Sequence, residues 1–73
     1  MRLVPLRTFV GIPGEGDPVF VAPDNVGVVL PSMPDPPSCE VWLKAGPPML
    51  LVDGSAERVA AMVDAARAPA PTR

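Results

Sequence analysis

Seventy-three residues with 12 prolines, one cysteine, no histidine and no tyrosine make one small domain at most, with no internal disulfide to staple it. Six basic and eight acidic residues are scattered along the chain for a formal charge of −2, which gives no cationic stripe and argues against nucleic acid as the main partner. The missing histidine and tyrosine remove the usual neutral-pH general base and the commonest metal ligand. A Ser–His or Cys–His nucleophile cannot be assembled, so a non-enzymatic protein without cofactor, metal or small-molecule substrate is expected.

Residues 2–10 alternate loosely and predict a first strand, with Pro5 forcing a sheet edge or a bulge because it cannot donate a ladder hydrogen bond. Residues 11–17 are Gly-rich and polar and predict a loop. Glycines 11, 14 and 16 lack the spacing of a dinucleotide or phosphate loop, and no helical pattern follows them. Glu15 and Asp17 are paired in that loop without the oxygen-ligand spacing of a calcium site, so a solvated turn is expected.

Residues 18–22 and 26–30 read as two further strands. Pro23, Asp24 and Asn25 join them through a single helical turn or a tight turn. Residues 31–37 are Pro-rich and predict an extended loop. From 38 to 44 the chain alternates, with Cys39, Val41 and Leu43 on one side and Glu40, Trp42 and Lys44 on the other, the pattern of a half-buried strand. Residues 45–48 form a turn by composition and 49–52 a short apolar run, which together predict a β-hairpin.

That hairpin feeds a helix whose ends are written in its residues. Ser55 is an N-cap, Glu57 lies in the first turn and Arg67 in the last, each where the helix dipole favours it. Val59, Met62, Val63 and Ala66 fall at i, i+3, i+4 and i+7 and mark the face to be buried. About 12 helical residues are marginal alone in water, so the helix must dock on the strands before it. The tail at 68–73 has no pattern able to bury anything and is expected to be disordered, leaving one domain over residues 1–67.

A lone cysteine on the inward side of its strand is expected to be an inert buried thiol in a reducing compartment. No 18-residue apolar run exists, and Pro5 and Arg7 interrupt what would be the apolar core of a signal peptide. A cytoplasmic location is expected.

Trp42 resists a purely structural account. It lies on the polar face between Glu40 and Lys44, where a large aromatic is either covered by the Pro-rich loop of its own chain or offered to a partner. The 49–52 run is apolar on both faces, although a single-layer sheet with one helix can bury only one of them. Something should sit on the other side. Trp42, Glu40, Lys44 and Leu50 are therefore the candidate partner-binding residues.

The succession of a first strand, VFVAPDNV, a strand, EVWLKAG and LLVDGSAERVAAMV resembles the small FlbD-type proteins of the swarming-motility protein D family. The likeness spans roughly residues 3 to 66, with Val52, Ser55, Glu57 and Val59 at positions where that family shows valine, serine, acid and valine. It implies a non-enzymatic accessory protein linked to bacterial flagellar function, and it carries over no active-site residues. The expected architecture is α+β, a small antiparallel meander of four to five strands with one C-terminal amphipathic helix across one face. The expected function is protein binding, by self-assembly or by docking on a larger complex. The alternative is a small regulator touching nucleic acid through Arg2, Arg7 and Lys44.

Overall fold

The computed structural model describes residues 2–67; the tail expected to be disordered lies outside the described residues. Five strands and one helix follow in the order β1 (Val4–Arg7), β2 (Pro18–Val21), a single 3-10 turn at Pro23–Asn25, β3 (Val26–Pro34), β4 (Pro37–Leu43), β5 (Met49–Asp53) and α1 (Ala56–Arg67). This is a small α+β fold. The strands form two antiparallel sheets, β1 with β2 and β3–β4–β5. Thr8 bridges Val52, and the Phe9 amide donates to the Leu51 carbonyl at 2.8 Å, so the end of β1 is stitched to β5 and the two sheets curl around one core.

That core is made by alternation. Val4 and Leu6 of β1, Val21 of β2, Val26 of β3, Cys39 and Val41 of β4 and Val52 of β5 are buried, and Val59 and Val63 of α1 close over them. The spacing of the last two is one helical turn, so a single stripe of α1 reaches the sheet, while Met62 and Ala66 pack at its margin. The Ser55 hydroxyl caps the helix by accepting from the Arg58 amide at 3.1 Å. At the other end Arg67 donates to the Pro23 carbonyl at 2.8 Å and lies 3.8 Å from Asp24. The carbonyl contact anchors the helix to the 3-10 turn; the exposed ion pair adds little.

Two glycines are required by geometry. Gly54 turns the chain from β5 into α1 with φ of 107°, a left-handed conformation that L side chains rarely adopt. Gly16 lies so close to β1 that a Cβ there would fall on the Thr8 carbonyl. The Gly-rich loop is thus tied down: Arg7 donates to the Gly16 carbonyl at 2.7 Å, and the Asp17 amide donates to the Thr8 hydroxyl at 2.9 Å.

The Pro-rich segment differs from its expectation as a loop. Pro31, Met33 and Pro34 pair with Cys39, Ser38 and Pro37, so residues 31–37 form the far arm of the β3–β4 hairpin. Prolines are accommodated because β3 is the outer strand of its sheet, where an absent N–H on the free flank forfeits no ladder bond. The register shifts between Val26 and Val28 and between Pro31 and Met33, and such shifts bend and twist a strand.

Candidate functional site

The outer surface of β3–β4–β5 follows from the register. Val41 pairs with Val29 and Leu50 on the inside, so the next residues along each strand stand outside. One outer row is Val28–Trp42–Met49 and the next is Leu30–Glu40–Leu51. The Thr8–Val52 bridge places Phe9 opposite Leu51, which extends the second row by one residue. Val28, Leu30, Trp42 and Met49 are all exposed large hydrophobics. Single exposed apolar residues are ordinary, but contiguous ones across three strands are not.

Trp42 is 41% exposed and is held in place. Its Nε1 donates to Glu40 Oε1 at 3.0 Å, a contact between residues two apart on the same strand face. The hydrogen bond satisfies the only polar group of the indole and fixes the ring, leaving its apolar faces to neighbours or to a partner. Glu40 keeps a second carboxylate oxygen, which that bond does not use. Lys44 continues the row. Its amide donates to the Asn25 carbonyl at 2.8 Å, extending the β3–β4 ladder by one pair, and its Cγ lies 3.8 Å from where a Cβ on Gly27 would stand.

Asn25 fixes this end of the sheet. Its Nδ2 donates to the Ala45 carbonyl and its Oδ1 accepts from the Ala45 amide, both at 2.9 Å, so the side chain pairs with backbone as a strand would. The β4–β5 turn beside Trp42 and Lys44 is therefore anchored from the start of β3.

The structure brings three of the four expected residues together and separates the fourth. Glu40, Trp42 and Lys44 share the outer face. Leu50 does not: it pairs with Val41 and packs against the buried core, while Met49 and Leu51 take the outer positions. The Pro-rich segment does not cover Trp42 either, because it pairs at the opposite end of β4, near Ser38. The cations of the nucleic-acid alternative occupy different places. Arg7 is engaged with the Gly-rich loop, Arg2 borders a cleft beside Met62 and Ala66, and Lys44 lies by Gly27 on the outer face.

A cleft of about 440 Å³ opens between β1, β2, the end of β5 and α1, bordered by Arg7, Phe20, Asp53, Arg58 and Met62. Two of its polar groups serve the fold: Asp53 Oδ2 accepts from the Gly14 amide at 2.8 Å and Arg7 holds Gly16. The second Asp53 oxygen is buried without a partner among the described residues. Among the described residues no group of three or more histidine, cysteine or acidic side chains is close enough to hold a metal ion, and no helix is long and apolar enough to cross a membrane. Cys39 is fully buried, and the loss of solvent around it pushes its thiol pKa up. Comparison with protein-family models, curated proteins and solved structures found no match to this chain.

Proposed function

We propose that this protein is a non-enzymatic protein-binding module whose docking surface is the outer face of β3–β4–β5. The observation that carries this is Trp42, half-exposed yet braced by Glu40 in the middle of Val28, Leu30 and Met49. A rigid aromatic amid apolar neighbours and a charged margin has the composition of an interface centre. Because the ring is already fixed, binding costs little further side-chain entropy.

The sheet edges favour face-on docking over strand addition. β3, at the free edge, carries Pro31 and Pro34, and β2 begins at Pro18; proline cannot donate to an added strand. The likeness of strand order and capped helix to FlbD-type proteins supplies a proposed setting, accessory to a larger motility assembly.

A photo-crosslinking residue placed at Leu30 or Met49, in the cells that make the protein, tests the proposal against the same residue at Ala61 on the solvent side of α1. Discrete adducts are expected from the two sheet positions, well above the yield from the helix position. Equal yields from all three, or adducts from Ala61 alone, would overturn it.

A further inference from the structure

Resting on the docking face just described, we infer that its occupant is a second copy of this chain, related by a two-fold axis passing beside Trp42. The order of charges along β4 sets this pairing. Glu40, Trp42 and Lys44 are spaced two residues apart on one face, anion, aromatic and cation in turn. A two-fold axis in the plane between two stacked sheets, perpendicular to β4, reverses the strand of the second copy. Trp42 then faces Trp42, and each Glu40 faces the Lys44 of the other copy. The surface is complementary to itself, as a two-fold interface requires.

Two further features fit this occupant. Glu40 spends Oε1 on the indole and keeps its other oxygen for a cation, so one side chain can brace its own tryptophan and meet the lysine of the second copy. The residues beside Trp42, Val28 with Leu30 on β3 and Met49 with Leu51 on β5, are apolar on both flanks, so the second copy lays apolar flanks on apolar flanks. Two sheets stacked in this way form a sandwich about 10 Å thick, with strands within roughly 30° of alignment. Three short strands cover less than the roughly 800 Å² per partner of a standard interface, so dissociation in the micromolar range or weaker is expected.

The test is sedimentation equilibrium of the purified chain from about 10 μM to about 1 mM, across the range where such small interfaces exchange. Parent, Glu40→Lys, Lys44→Glu and an equimolar mixture of the two variants are compared. Circular dichroism establishes that each variant is folded. The parent is expected to dimerise. Each single variant, placing like charges opposite each other twice per dimer, is expected to dimerise roughly tenfold more weakly or worse. The mixture is expected to recover dimers, because the copy carrying cations at both positions meets the copy carrying anions at both. The comparison of parent with single variants fixes the direction of pairing: if position 40 faced position 40, all three would oppose like charges equally and associate alike.

Single variants as associated as the parent, or a mixture no more associated than its components, would overturn the two-fold arrangement. A parent that stays monomeric at the highest concentration would overturn the second copy as occupant. The docking face itself would still stand if crosslinks from Leu30 and Met49 led to a different protein, so the two failures are distinguishable.

Discussion

Val59→Ala tests the docking of the helix on the strands. Val59 is 1% exposed, and its Cγ2 lies 3.6 Å from where a Cβ on Gly54 would stand, so its side chain fills the angle between β5 and α1. Removing two buried carbon groups forfeits about 1.6 kcal/mol of transfer free energy at ~0.8 kcal/mol each. The cavity left behind adds roughly 1 kcal/mol, and the better helix propensity of alanine returns about 0.5 kcal/mol. The net loss is about 2 kcal/mol. For a domain this small each kcal/mol moves the midpoint by roughly 4–8 °C, so Tm should fall by about 8–16 °C. Thermal melts followed by far-UV circular dichroism and by Trp42 emission should agree on that shift. Ala61→Ser, on the exposed side of the same helix, should move the midpoint only slightly, within about 0.5 kcal/mol. A Val59→Ala variant melting within about 2–3 °C of the parent, a shift worth well under ~1 kcal/mol, would refute the packing of α1 on the sheet.

Asn25→Ala removes both side-chain bonds to Ala45 and should cost about 1–2 kcal/mol, with faster hydrogen exchange at the Ala45 amide; unchanged exchange there would show that the β4–β5 turn is held by other groups. Gly16→Ala forces the loop off β1 and breaks the bonds of Gly16 to Arg7 and of Asp17 to Thr8, and a loss of about 3 kcal/mol in a urea titration is expected; a loss below ~0.5 kcal/mol would show that the loop is free. Burial raises the Cys39 thiol pKa, so the native thiol should react with a disulfide reagent much more slowly than the same thiol in urea, and equal rates would show that it is accessible. The sign for stability follows from the same shift. The buried thiol keeps its proton where the unfolded chain has lost it, so stability is fully present below the ordinary thiol range and falls as pH rises through that range. A flat stability profile from about pH 7 to about pH 10 would contradict it.

The elements with local signatures are legible from residue order alone. The Ser55 cap, the Val59 and Val63 stripe and the Cys39–Val41–Leu43 alternation each state their role within a few residues, and each lies where its pattern puts it. The phase of the outer face is harder to read. Residues 49–52 are apolar without a break, so nothing local tells Leu50 from Leu51; only the long-range pairing of Cys39 with Val52 does. Val28 and Leu30 are hidden by the irregularity at Gly27, which shifts the phase of β3 relative to the buried Val26. The Pro-rich arm reads as a loop because proline disfavours strands in general. On an outer strand that penalty applies to only one flank.

Trp42→Ala, measured for folding and for association on the same samples, bears on the docking face itself. Trp42 touches its own chain chiefly through cross-strand neighbours and Glu40, contacts worth about 1 kcal/mol to the fold. As the centre of a docking face it is worth about 2 kcal/mol or more to association. Sedimentation should therefore show association weakened roughly thirtyfold, by the conversion of ~1.4 kcal/mol per tenfold, while a denaturant melt shows a loss near ~1 kcal/mol. Folding stability reduced by several kcal/mol with association unchanged would contradict the docking face, because Trp42 would then belong to the core of its own chain.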